Sequence, residues 1–241
     1  MTSLSGLKVL VTGGAKGIGR STVEELLARG ARVAAIDISP FEVEGAKTRV
    51  GDVTSEADCI AAVAWAVVAL EGLDALVNNA GVIVEKPLIE TSVEDFDRQI
   101  SVNLRGVFLM GREAAKHFST RPESAPPARI VNLASELAHL GRVDYSPYCA
   151  SKGGVVSLTR SWARELAPKV LVNAVAPGPT DTDMLKSETQ YHHLVATGEG
   201  IELKRLGQPR EVASAIAFLL GPDATFMTGS IVDVNGGAAM Y

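Results

Sequence analysis

From residue 12 to residue 19 the chain reads Thr-Gly-Gly-Ala-Lys-Gly-Ile-Gly, straight after the apolar run Lys8–Thr12 and straight before an amphipathic stretch. This segment limits the possible folds more than any other. Glycines spaced G-x-x-x-G-x-G let a strand turn abruptly into a helix. They also let the backbone approach a pyrophosphate, which can then rest on the free N–H groups of the helix N-terminus. A glycine-rich turn without a ligand would look the same in isolation, but the position after a first strand favours the dinucleotide reading. Gly13, Lys16, Gly17, Ile18 and Gly19 are therefore the candidate cradle.

Apolar runs of strand length alternate with helix-like segments along the rest of the chain. The strand candidates are Lys8–Thr12, Arg32–Asp37, Thr48–Gly51, Ala75–Asn78, Arg129–Ala134, Val170–Val175 and Ile231–Val234. Helix edges are marked by Ser55 with Asp58, by Ser92 with Asp95, and by Pro209 before Arg210-Glu211, with Gly221-Pro222 as a stop. The apolar stretch Cys59–Leu70 is shorter than the roughly 20 residues a bilayer requires and reads as a buried helix. The pattern predicts an α/β protein with one domain over residues 1–241: a Rossmann-type, doubly wound, mostly parallel seven-stranded sheet flanked by helices. Glu123–Pro127 reads as a loop, not a linker, because strand–helix alternation resumes at once.

Composition narrows the function classes. A formal charge of −5 over 241 residues, with no Lys/Arg run, excludes a general nucleic-acid surface. Cys59 and Cys149 have no metal-ligand spacing, and Met1-Thr2-Ser3-Leu4 does not begin a targeting segment. The expectation is a cytoplasmic protein with no membrane partner and no metal site.

In such a sheet ligands bind beyond the carboxyl ends of the strands. Asp37 ends the second strand about 20 residues past the glycine turn, where a carboxylate can accept from an adenosine ribose diol. It would repel a 2′-phosphate, so NAD is favoured over NADP, although Lys16 pulls the other way. Asp52-Val53 follows the third strand, where it could meet the adenine. Asn78-Asn79-Ala80-Gly81 follows the fourth and would line the cleft.

Tyr148 and Lys152 stand one helical turn apart and so share a helix face. A phenol has a pKa near ~10, and a neighbouring ammonium favours the phenolate. With Ser135 just beyond the fifth apolar run, the three describe an acid/base site able to exchange hydride and proton between an alcohol and a nicotinamide.

The chain resembles the short-chain dehydrogenases/reductases from about Leu7 to Gly237. The likeness is carried by Thr12–Gly19, Asp52-Val53, Asn78–Gly81, Asn103, Ser135, Tyr148-Cys149-Ala150-Ser151-Lys152, Asn173, Pro177-Gly178, Thr182, Asp233 and Gly236-Gly237. The resemblance implies Tyr148 as general acid/base and Ser135 as the group orienting the substrate oxygen. Lys152 would bind the nicotinamide ribose and lower the Tyr148 pKa, and Asn103 would hold a water in a proton relay. Pro177, Gly178, Thr180 and Thr182 would meet the nicotinamide half; Asn79, Ala80 and Gly81 would line the cofactor. A small to medium secondary alcohol or ketone as substrate and a homotetramer are further implications.

The chain departs from the family pattern between Asp37 and Asp52, where Pro40 and Gly45 leave room for at most a turn or two of helix. Residues 180–206 resemble the variable substrate loop, with His192-His193 read as solvated loop residues. Glu136, His139, Arg142 and Tyr145 fall near the expected substrate mouth, where a charged or hydroxylated substrate would suit them. Two competing functions remain. An NADPH-dependent 3-oxoacyl-thioester reductase would carry a basic residue after the second strand, where Asp37-Ile38-Ser39 stands. A catalytically idle NAD-binding sensor would lack one of Ser135, Tyr148 or Lys152.

Overall fold

Among the residues that the computed structural model describes, 2–240, one sheet holds seven strands in the order β3-β2-β1-β4-β5-β6-β7, and every pairing is parallel. Met1 and Tyr241 lie outside the described residues, and with them the ends of the N-terminal segment and of the apolar C-terminus. The strands are β1 (Lys8–Thr12), β2 (Arg32–Asp37), β3 (Lys47–Val50), β4 (Ala75–Asn78), β5 (Ala128–Leu133), β6 (Val170–Pro177) and β7 (Ile231–Val234). β6 runs past the apolar stretch that signals it because Ala176 and Pro177 still pair with Asp233 and Val234 of β7.

The helices that position the site are α1 (Gly17–Ala28), α2 (Glu56–Leu70), α3 (Val93–Ile100), α4 (Gly106–Ser119), α5 (Leu137–Leu140), α6 (Ser146–Glu165), α7 (Asp183–Lys186), α8 (Tyr191–Thr197) and α9 (Pro209–Leu220). Local chemistry sets their ends. The Ser55 Oγ accepts from the Asp58 N–H at 3.2 Å, and Ser92 with Asp95 forms a complete capping box. Pro209 is the first residue of α9, and Gly221 ends it. From Asp37 to β3 there is no helix, only an irregular segment with a turn at Glu44-Gly45. The crossover that most such sheets build as a helix is here a short strap.

Alternate residues of the central strands feed two cores, which is why these strands are apolar on both faces. Val9, Val11, Val33 and Ala35 pack with Val23 and Leu26 of α1 and Val212 and Ile216 of α9. Leu10, Ala34, Ile36, Leu76 and Ile130 pack with α2 and α4 through Ala62, Ala66, Leu109 and Met110. No helix among the described residues is long and apolar enough to cross a membrane.

The strand order reverses between β1 and β4. The chain first winds outward through β2 and β3, then returns to the other side of β1. That reversal opens a crevice at the carboxyl ends of the strands, the place such sheets bind ligands.

Candidate active site

One cavity of about 590 Å³ occupies this crevice, and its wall is assembled from the ends of six strands. The turn after β1 supplies Gly13, Lys16, Gly17, Ile18 and Gly19. The end of β2 supplies Asp37, and the segment after β3 supplies Asp52 and Val53. Asn79, Ala80 and Gly81 follow β4; Ser135 follows β5; Pro177, Gly178, Thr180 and Thr182 end and follow β6. Tyr148 and Lys152 enter from α6. Every cofactor-binding residue named from the sequence lies on this wall.

The cofactor end is built chiefly from backbone. Gly13 has φ +69°, and a Cβ there would stand 2.8 Å from Asn79 Nδ2. A Cβ on Gly19 would stand 1.9 Å from the Gly13 carbonyl oxygen, inside any permitted contact. Asn79 locks the turn by donating from Nδ2 to the Thr12 and Gly13 carbonyls at 2.9 and 3.0 Å. The Thr12 Oγ1 accepts from the N–H groups of Asn79 and Ala80 at 3.0 and 3.1 Å. Thr12 is thus a positioning residue that the glycine spacing alone did not reveal. Asp37 joins the same scaffold: one oxygen accepts from Ala15 N–H at 3.1 Å and the other from Ser39 N–H at 3.3 Å.

The residues present fit a dinucleotide. No side chain caps α1, and its first turn holds no acidic residue, so the N–H groups of that turn face the cavity without a protein acceptor at the cap. By contrast α2 and α3 are capped by serines. An uncapped N-terminus behind glycines that admit no Cβ is a cradle for an anionic group.

The second element of the site is a buried acid/base pair. Tyr148 is 9% exposed and Lys152 4% exposed, and the Lys152 Nζ lies 5.7 Å from the centre of the Tyr148 ring. Nζ donates to the Leu133 carbonyl at 2.7 Å, which anchors the amine at the end of β5. Burial brings the Lys152 pKa down to about 8, still above neutrality, so the amine stays protonated at pH 7. The expected lowering of the Tyr148 pKa is not what the structure gives. Burial of the phenolate raises it, and the opposing influence comes from the Ser135 hydroxyl, not from Lys152. The physical reason is desolvation: α6 places the ring in the closed base of the cavity, and the ammonium is engaged by Leu133.

Asn103 lies on a π-helical turn, Ser101–Arg105, that joins α3 to α4 without a break. Such turns are frequent at functional sites. Its Oδ1 accepts from Val82 N–H at 2.8 Å, while Nδ2 donates to the Val82 carbonyl at 2.9 Å and to Ser151 Oγ at 3.1 Å. Asn103 therefore sits behind the wall rather than on it. It remains close to the amine: a Cβ on Gly81 would lie 3.4 Å from Asn103 Oδ1 and 3.7 Å from Lys152 Nζ.

Two residues that accompany the sequence motifs are structural instead. Asn78 is buried at 2% exposure and donates to Asn132 Oδ1 at 2.9 Å, so only residues 79–81 of its run line the cleft. Asn173 ties β6 to the approach to β7, donating to the Met227 carbonyl at 2.8 Å and accepting from Ser230 N–H at 3.0 Å.

The substrate end is made of side chains. Tyr145 is fully buried and donates to Glu188 Oε2 at 2.7 Å; the Arg142 guanidinium stacks 5.2 Å from the Tyr145 ring centre and bonds Gln190. Glu85 accepts from Thr189 N–H at 3.0 Å. These bonds hold the 180–206 loop against the segment before α6 and against the stretch that follows β4. Glu188 and Glu85 carry no local sequence signal for this role. Burial pushes Glu188 up, and burial pushes Glu136, which also lines the cavity, up to about 7. In the same loop His193 pairs with Glu199 at the surface.

Comparison with known proteins places this site in a family. Residues 13–239 match the family model described as enoyl-(acyl carrier protein) reductase. A 3-oxoacyl-[acyl-carrier-protein] reductase of Vibrio cholerae is 35% identical over 248 residues, covering 99% of each chain. Among solved structures, a short-chain glucose/ribitol dehydrogenase of Brucella melitensis superposes with a TM-score of 0.91 at 37% identity, covering 100% of this chain and 99% of its own. A 3-ketoacyl-(acyl-carrier-protein) reductase from the same organism, complexed with NADH, gives 0.92 at 34% identity, covering 99% of this chain and 100% of its own. The chain belongs to the short-chain dehydrogenase/reductase family. It is an oxidoreductase, with the single-domain doubly wound fold expected from its strand–helix alternation.

Proposed function

We propose that the protein interconverts a secondary alcohol and a ketone with NAD as cofactor, Tyr148 acting as general acid/base. The observation that carries this is the convergence, in one cavity, of Ser135, Tyr148, a buried protonated Lys152 and the uncapped N-terminus of α1.

Gly13, Gly17, Ile18 and Gly19 would hold the pyrophosphate, Asp37 would accept from the adenosine ribose diol, and Lys152 with Tyr148 would meet the nicotinamide ribose. Asp52 and Val53 border the adenine. Pro177, Gly178, Thr180 and Thr182 would meet the nicotinamide half, and Asn79, Ala80 and Gly81 would line the cofactor. The oxidised nicotinamide, when bound, supplies the acceptor for the hydride that leaves the carbinol carbon. Ser135 fixes the substrate oxygen and stabilises the charge that develops on it. Tyr148 takes the hydroxyl proton during oxidation and returns it during reduction. Each pH unit by which the Tyr148 pKa is lowered stabilises the phenolate by about 1.4 kcal/mol. The Ser135 hydroxyl beside the phenol contributes to that lowering. Asn103, whose side chain lies behind Gly81, would hold a water that connects Lys152 to solvent as a proton relay.

A second reading is reduction of a 3-oxoacyl thioester with NADPH; the Vibrio cholerae relative supports its substrate. Asp37 at the end of β2 opposes it, because a carboxylate there repels a 2′-phosphate. Initial rates with NAD⁺ and NADP⁺ over a series of secondary alcohols, for the wild type and Asp37→Ala, test both. NAD⁺ should be preferred by the wild type, and the preference should fall by about tenfold or more in the variant. A wild-type preference for NADP⁺, or an unchanged ratio, would count against the NAD assignment.

An oligomer built on the helices carrying Asn103 and Tyr148 is supported by apolar side chains left exposed on α3 and α4, Val93 at 70%, Phe96 at 43% and Phe108 at 41%. Sedimentation as a monomer at assay concentrations would dispose of it.

A further inference from the structure

Glu136 is an anomaly in this site. It is 5% exposed, and its Oε2 has no hydrogen-bond partner among the described residues. A buried carboxylate oxygen left unbonded costs free energy, and such groups in folded proteins call for an explanation. Local structure does not supply one. Glu136 precedes α5, but its side chain makes no capping bond. The backbone does that work: the Glu136 N–H donates to the Pro177 carbonyl at 3.1 Å, and its carbonyl accepts from His139 and Leu140 N–H at 3.0 and 3.2 Å. The side chain is spared from the fold and stands on the cavity wall, next in sequence to Ser135.

The charges around it select the kind of group it can receive. Lys152 and Arg142 line the same cavity, so a substrate ammonium brought to Glu136 would also meet two cations. Glu188 lines it too and Asp233 acts on Glu136 as a like charge, so an anionic substrate would meet carboxylates. A neutral hydroxyl faces neither penalty: it donates to Glu136 and can accept from Arg142. The reacting oxygen is taken by Ser135 and Tyr148, so the hydroxyl that satisfies Glu136 must be another one.

We infer that Glu136 is a specificity-determining residue that accepts a hydrogen bond from a second hydroxyl of the substrate, and that the substrate is a polyhydroxylated alcohol or the corresponding hydroxyketone. This rests on the alcohol–ketone chemistry proposed above and names the substrate class for it. A pocket built to receive a hydroxyl discriminates strongly against an analogue lacking one, because its own polar group is then left unpaired.

The test compares ribitol and xylitol with cyclohexanol and with a simple amino alcohol, using NAD⁺ and the wild type, Glu136→Gln and Glu136→Leu. Thermal melting of each variant establishes that it is folded. Wild-type kcat/KM for the pentitols should exceed that for cyclohexanol by about tenfold or more. Glu136→Leu should lower kcat/KM for the pentitols by on the order of a hundredfold, at least about tenfold more than it lowers the value for cyclohexanol. Glu136→Gln keeps an acceptor oxygen and loses the charge, so its loss should fall between, and it carries the test if the leucine variant does not fold. Equal losses on both substrate classes would mark a merely structural residue and overturn the assignment. A wild type that prefers cyclohexanol or the amino alcohol would overturn it as well, while leaving the alcohol chemistry standing. No turnover of any alcohol with NAD⁺ or NADP⁺ would remove the proposed reaction, and this assignment with it.

Discussion

The two ends of the cavity are held together by different means. At the cofactor end the partners are mostly main-chain groups: Thr12, Asn79 and Asp37 bond the backbone of the glycine turn, and the glycines leave no room for a Cβ. At the substrate end the partners are side chains far apart in sequence, with Tyr145 on Glu188 and Glu85 on Thr189. A backbone cradle tolerates almost no substitution and reads the pyrophosphate that all dinucleotides share, leaving Asp37 to tell their riboses apart. A side-chain pocket can be rewritten one residue at a time without disturbing the sheet, so the family's common chemistry resides in the first and this chain's selectivity in the second.

The sharpest way to separate the ends is to remove the group between them. Tyr148→Phe should cut turnover roughly a thousandfold while NADH binding, followed by fluorescence titration, stays near the wild-type value. Loss of binding and turnover together would show that Tyr148 belongs to the cradle. Next in size is Gly19→Ala, whose Cβ would lie 1.9 Å from the Gly13 carbonyl. Relief requires moving backbone, so about 1–3 kcal/mol of stability and most dinucleotide affinity should be lost in denaturant and binding titrations. An alanine variant that binds normally would contradict the rigid-cradle view.

Glu136 probes the other end through pH. Its carboxyl is raised from 4.5 to about 7 in the folded chain, so between those values the folded state holds a proton that the unfolded state has released. Stability from this group is therefore fully present below 4.5 and is lost as pH rises through about 7. At about 1.4 kcal/mol for each pH unit, the wild type should lose up to about 3 kcal/mol relative to Glu136→Gln over that window. Parallel stability curves for the two proteins would show that the carboxyl is not buried as described. The smallest effect belongs to Tyr145→Phe, which removes the bond to Glu188 and frees the loop at that point. KM for the alcohol should rise several-fold, with about 1 kcal/mol lost in stability and cofactor affinity unaltered. A change in cofactor affinity instead would mean the two ends are coupled.

Much of this molecule is legible in the sequence, for physical reasons that differ by region. The strands, the glycine turn and the placement of Asp37, Ser135, Tyr148 and Lys152 follow from local periodicity and from a topology that brings strand ends to one crevice. The boundaries of β6 were not legible, because its last residues are extended by pairing with β7 and not by their own composition. Asn78 and Asn79 look alike in a motif, yet strand alternation sends the first into the core and the second to the turn. The raised Tyr148 pKa was hidden because spacing reports which charges are neighbours and says nothing about burial. The part played by Glu188 depends on a loop folding back across some forty residues, and nothing near it in sequence announces that.

The most direct test of the account follows the hydrogen itself. A secondary alcohol deuterated at the carbinol carbon would be incubated with NAD⁺ and the wild type, and the reduced cofactor examined by mass spectrometry. The account predicts that the deuterium appears in the cofactor in step with ketone formation, and that Tyr148→Phe suppresses both. Ketone formed without label in the cofactor, or label transferred at an undiminished rate by Tyr148→Phe, would contradict it.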